Sequence, residues 1–229
     1  MGGVHGSRAR DGNGGDAHAA LSASVAGITV SVVSRRESLT PPASGLHNAA
    51  LRTDRAEARG DAMTDIPPDD PTTRLFLRHA LATLAYRAGK AVRGTPDAFG
   101  AHRQTPESPS VVEILAHMGD LMDWVLRMLG GESRWTTATP LPWSQEIARF
   151  FAAMKAVDDY LASGQPIRWE PGRVFQGGIA DALTHTGQLT MLRRLSGHKM
   201  KGENYSRADI EAGRVGSEQT PANPKYEFD

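Results

Sequence analysis

The sequence predicts an all-α protein: a four-helix bundle with a long crossover connection, preceded by a disordered N-terminal segment. Three observations carry this. Four stretches of about 18–24 residues repeat apolar side chains at three- and four-residue steps, the spacing of one helix face. No segment alternates convincingly with period two, so no sheet is expected. All the aromatic residues (6 Phe, 4 Tyr and 4 Trp) lie from Phe76 onwards, and residues 1–62 contain none.

In residues 1–62, Leu, Ile, Val and Phe together number 10, below the ~20% typical of folded chains. Such a segment lacks the apolar area to offset its ordering entropy. Ala19 to Ser34 is mildly apolar and is followed by Arg35 and Arg36. A secretory signal needs its basic residues before the apolar stretch, and here Asp11 and Asp16 dilute that start. Residues 1–62 are therefore expected to be a disordered leader. Met63-Thr64-Asp65-Ile66-Pro67-Pro68 reads as a natural start, which would place the leader upstream of the true start codon. Residues 63–197 are expected to form the bundle and 198–229 a polar tail able to lie over it.

The first helix follows Pro71, with Thr72 or Thr73 as cap, and its stripe is Leu77, Leu81, Leu84, Ala88 and Val92. Gly94, Pro96, Gly100 and Pro106 then break the pattern for about sixteen residues, where roughly 2–8 joins adjacent helices. That length is what predicts the crossover. The second helix starts near Ser108-Pro109-Ser110, runs on Ile114, Leu115, Met118, Leu121, Met122, Val125 and Leu129, and stops at Gly130-Gly131. The third follows Trp143-Ser144, with Ile147, Phe150, Phe151, Met154, Val157 and Leu161 as its stripe. The fourth starts around Arg173 and ends at Gly197, with Ala182, Leu189, Leu192 and Leu195 inside.

Composition narrows the function classes. The 26 basic and 26 acidic residues balance, which argues against a partner held by bulk charge, nucleic acid or membrane surface. There is no cysteine, so disulfides, thiolate zinc sites and a cysteine nucleophile are excluded. No apolar run reaches the ~18–20 residues of a membrane helix, and a cytoplasmic location is expected. There is no glycine-rich phosphate loop, no Gly-x-Ser-x-Gly and no basic recognition helix.

The informative residues are polar ones on apolar stripes. His117 lies between Ile114 and Leu121 at helical spacing, and His185 precedes Leu189 and Leu192 by four and seven. Asp181 is four before His185, one turn along the same face. A carboxylate turned inward is costly unless it is paired or binds a metal. Two donors at i and i+4 hold one ion, and a third from a neighbouring helix leaves positions open for water or substrate. A neutral hydrogen-bonded network of the same three residues is the other reading of this spacing. Glu113 and Asp120, one turn either side of His117, either orient its imidazole as outer partners or are partly solvated helix residues, and Gln188, three after His185, either bonds a bound water or packs the helix against its neighbour. Arg193 and Arg194 either meet an anionic substrate or supply favourable charge in the last helical turns. Trp124, Trp143 and Trp169 either line a pocket mouth or fill the core.

The run Ser110-Val111-Val112-Glu113-Ile114-Leu115-Ala116-His117-Met118-Gly119-Asp120-Leu121 resembles the second helix of DinB/YfiT-like proteins. Asp181-Ala182-Leu183-Thr184-His185-Thr186-Gly187-Gln188-Leu189 resembles their last-helix motif, His-x-x-x-His followed by Arg-Gly-Gln, and Arg193-Arg194-Leu195 continues the likeness. It spans about residues 72–197. The resemblance implies that His117 is the first metal ligand and His185 the last. Asp181 stands where the family usually has its middle His, and Thr186 replaces the usual Arg. It implies a divalent ion (zinc, nickel, manganese or iron), often a homodimer, and transfer of a low-molecular-weight thiol to a small-molecule substrate. Two further readings stand beside it. One is a non-catalytic dimeric helical module whose His/Asp trio is structural. The other is a binding or storage protein for a small hydrophobic ligand, with Met118, Met122, Met154 and Met191 as adaptable packing.

Overall fold

The computed structural model describes residues 70–229 and, ahead of them, the backbone of two strands, β1 (Ser22–Val25) and β2 (Ile28–Ser31). These pair antiparallel, Ser22 opposite Ser31 and Val25 opposite Ile28. The expected disordered leader over residues 1–62 otherwise lies outside the described residues. The expectation of no sheet is corrected here: Val25, Ile28, Thr29 and Val30 are β-branched and suit strands, but the pairing is too short to show as a period-two pattern.

Residues 70–229 are mostly helical. Helix α1 (Pro71–Val92) is capped by Asp70, not by Thr72 or Thr73. The Asp70 carboxylate accepts the Thr73 N–H at 3.1 Å, with Pro71 in the first turn. The long connection contains a single turn, α2 (Asp97–Gly100), which buries Phe99 edge-on against Trp143 with ring centroids 5.5 Å apart. Helix α3 (Val111–Gly130) opens with a full capping box between Ser110 and Glu113 and closes on Gly131 at φ 99°, where a side chain would be strained. Helix α4 (Trp143–Ala162) follows Pro142. The last rod is built in three pieces: α5 (Pro171–Val174), capped by Glu170; a π-helical turn (Phe175–Ile179); and α6 (Ala180–Leu195).

Helix α1 packs on α4 and α6, and α3 packs on the same two. Consecutive long helices α1 and α3 therefore sit across the bundle from each other, which is why the chain between them is long. All the stripe residues expected on the first two helices are buried, and on α4 only Ile147 is half-exposed. On α6 the inner face ends early: Leu189 is buried, whereas Leu195 is 58% and Met191 63% exposed. Met118, Met122 and Met154 are fully buried, so Met191 does not join them in the core.

The π turn falls where the rod packs against α3 with no room for side chains. A Cβ on Gly178 would fall 2.1 Å from Val125 Cγ2, and one on Gly177 would fall 3.2 Å from the Trp124 ring. Two adjacent glycines let this rod touch α3 along its backbone. A π turn inserts one residue and so resets the facing of the helix that follows.

The tail closes over α1. Strands β3 (Gly202–Glu203) and β4 (Glu227–Phe228) pair antiparallel. Glu203 is buried, accepting from Tyr86 Oη at 2.7 Å and from Lys90 Nζ at 2.7 Å, and Lys90 also reaches Glu227 at 2.9 Å. Burial and the Glu203 carboxylate push the Tyr86 phenol well above its ordinary range. At the same end of α1, Arg193 Nη1 donates to the carbonyls of Lys90, Ala91 and Arg93 at 2.9–3.0 Å. That group is thus engaged at the C-terminus of α1, where free carbonyls and the helix dipole favour a cation. Arg194 donates to the Met200 carbonyl.

Candidate metal centre

His117 on α3 meets Asp181 and His185 on α6. Asp181 stands between the imidazoles, with Oδ2 3.8 Å from His117 Nε2 and Oδ1 3.6 Å from His185 Nε2. The two rings lie edge to face with centroids 4.8 Å apart. One donor atom from each residue falls within 4.8 Å of the others, and among the described residues this is the one cluster of His and acidic groups with such spacing. Two donors about 2.1 Å from a tetrahedral ion stand about 3.4 Å apart, so a small closure of this triangle completes a metal face.

The three residues do not point into a sealed core. The side chains of His117 and Asp181 are 39% and 44% exposed, and His185 is 15% exposed. The exposed parts of His117 and Asp181 leave the donor atoms open to further ligands. Expectation and structure differ here because helical spacing tells which face a residue is on, not how deep it lies.

Gln188, expected to bond a bound water or pack the helix, reaches the neighbouring imidazole instead. Its Oε1 lies 2.8 Å from His185 Nδ1. An amide oxygen only accepts, so Nδ1 carries the proton and Nε2 keeps its lone pair towards Asp181. Glu113 and Asp120 do not orient His117 by hydrogen bonds. Glu113 closes the capping box with Ser110 and pairs with Arg103. Asp120 is buried and accepts from Arg149 Nη1 at 3.0 Å and from the Ala138 N–H at 3.1 Å; burial, opposed by these donors, raises its carboxyl above the usual range.

Two contributors were not legible from spacing. Trp135, in the connection before α4, lies with its ring 5.5 Å from His117 and 5.9 Å from Trp124. Arg149 on α4 reaches Glu146 at 2.6 Å, Asp120 at 3.0 Å, Asp123 at 3.3 Å and the carbonyl of Ala116 at 2.6 Å. Gly119 makes that approach feasible, since a Cβ there would sit 2.6 Å from Arg149 Nη2. The only signal for Arg149 was a charge flanked by apolar residues on the third stripe. Of the three tryptophans singled out, Trp143 is core, while Trp124 and Trp169 are partly buried against it.

Burial, and then the neighbouring His185, hold the His117 imidazole below its ordinary range, with Asp181 and Asp120 pulling the other way. An unfolded histidine titrates near 6.5. Between that value and the lower folded one, the unfolded chain binds the extra proton. This contribution to stability is complete above about pH 6.5 and is lost as pH falls through the folded value. Melting of metal-free protein between neutral and mildly acidic pH is expected to show a downward slope that flattens in His117→Gln; an unchanged slope would contradict it.

No protein-family model matches the chain, and no curated protein or solved structure matches it. Among the described residues no helix is long and apolar enough to cross a membrane.

Proposed function

We propose that this chain is a divalent-metal-binding protein of the DinB type, acting as a small-molecule transferase that uses a low-molecular-weight thiol and works as a homodimer. The observation that supports it most directly is the convergence of His117, Asp181 and His185 from two helices. The donor set fits a borderline divalent ion, zinc, nickel, manganese or iron.

When bound, a divalent ion lowers the pKa of a coordinated thiol or water and so supplies a nucleophile at neutral pH. The chain's own residues do the rest. His117 and His185 offer Nε2, Asp181 offers one carboxylate oxygen, and Gln188 keeps His185 in the ligating tautomer. The exposure of His117 and Asp181 leaves the centre open to a small substrate. With no cysteine in the chain, a thiol must arrive as a separate molecule.

Elemental analysis of purified, metal-replete protein is expected to find about one divalent ion per chain. A ligand bound to the native state alone raises its stability by mass action, so a chelator is expected to lower the melting temperature. No stoichiometric metal together with an unmoved melting temperature would leave only the helical module.

A further inference from the structure

The connection between α3 and α4, residues 131–142, has no regular secondary structure, yet it is fixed from two sides. Two buried carboxylates each give one oxygen to Arg149 and the other to its backbone. Asp120 accepts from Arg149 and from the Ala138 N–H; Glu146 accepts from Arg149 and, at 2.9 Å, from the Leu141 N–H. From α3, Trp124 Nε1 donates to the Ser133 carbonyl at 3.1 Å and Arg127 to Thr136 Oγ1 at 2.7 Å. Trp135 sits between these anchors, its own indole N–H given to Thr137 Oγ1 at 3.0 Å.

The two imidazoles of the centre are held differently. His185 is oriented by Gln188. Among the described residues, no hydrogen bond within 3.5 Å reaches His117, and Asp181 Oδ2 stands 3.8 Å from its Nε2. What packs on its ring is Trp135 on one side and the edge of His185 on another.

We propose that Trp135 is a positioning residue for His117, that its indole sets the direction of the imidazole towards Asp181 and His185, and that Arg149, through Asp120 and Glu146, holds the connection that carries it. The inference deepens the metal-centre reading and rests on it for one of its two readouts. A χ2 rotation of an unsupported imidazole is a broad, shallow torsion, so a packed aromatic decides its orientation. Loss of a group that orients a ligand typically costs 10–100-fold in metal affinity.

The test uses the full chain and three variants: Trp135→Ala, Trp135→Phe and Ala138→Pro, the last removing the N–H that Asp120 accepts and stiffening the backbone there. In metal-free protein, the nuclear Overhauser contact between the His117 and His185 rings is expected in wild type and Trp135→Phe. It is expected to weaken in Ala138→Pro and vanish in Trp135→Ala. Zinc affinity is expected to fall about ten-fold or more in Trp135→Ala, and to stay within two- to three-fold of wild type in Trp135→Phe. A ring contact that persists in Trp135→Ala overturns the proposal, as does unchanged zinc affinity in that variant. If wild type takes up no zinc but the ring contact follows Trp135, the metal reading fails and the positioning role stands.

Discussion

His185→Ala is expected to take bound divalent metal from about one ion per chain to none detectable, measured by elemental analysis after gel filtration. His185 is the best-held donor of the three: its side chain is 15% exposed and its far nitrogen is fixed by Gln188. Removing it leaves one imidazole and a half-exposed carboxylate, from different helices, with no shared geometry. Loss of a mere orienting partner costs 10–100-fold, so loss of the ligand itself is expected to exceed about 100-fold. The thermal gain from added metal should disappear with it. The control is His79→Ala, on the exposed face of α1, which should keep full stoichiometry. Equal metal content in His185→Ala would mean that any ion sits elsewhere.

Arg149→Met is expected to produce the largest loss of stability from a single charged residue. Its side chain is 20% exposed, and its partners Glu146 and Asp120 are 0% and 3% exposed. Breaking a buried pair by deleting one partner typically costs about 3–5 kcal/mol, because the remaining charge has no compensation. Here two acids would be stranded. For a chain of this size that corresponds to a fall in melting temperature on the order of 10 °C. Lys155→Ala is the contrasting variant. Lys155 and Asp159 form an ion pair with side chains 67% and 60% exposed, and such pairs contribute about 0–1 kcal/mol. Similar melting temperatures for the two variants would show that the Arg149 cluster is not holding buried charge.

The helices were legible because their signals are local. The Ser110 to Gly131 limits of α3 follow from a capping box and an αL glycine, both set by residues within a turn of the boundary. The convergence of His117 with Asp181 and His185 was legible because stripe position fixes facing. What stayed hidden has a common physical reason: it depends on where distant chain ends up. The Arg149 cluster joins α3, α4 and the connection between them, and no period describes it. The π turn breaks the 3.6-residue count on which helical facing is judged, although Gly177-Gly178 marks where it falls. Trp135 reaches His117 through an irregular backbone path. The Glu203 clasp joins residues 117 and 113 positions apart, so a tail able to lie over the bundle could be read from the sequence but its partners Tyr86 and Lys90 could not.

The single guanidinium of Arg193 on the last carbonyls of α1 has a consequence for how the molecule breathes. Helix ends ordinarily fray independently, each at its own small free energy. Here the end of α1 cannot loosen without releasing α6, and Lys90, on the same turn, is tied in addition to Glu203 and Glu227. Amide hydrogens near Val92, Leu192 and Glu203 should therefore exchange with solvent in one concerted opening, while the turn bearing His185, two turns upstream, stays shut.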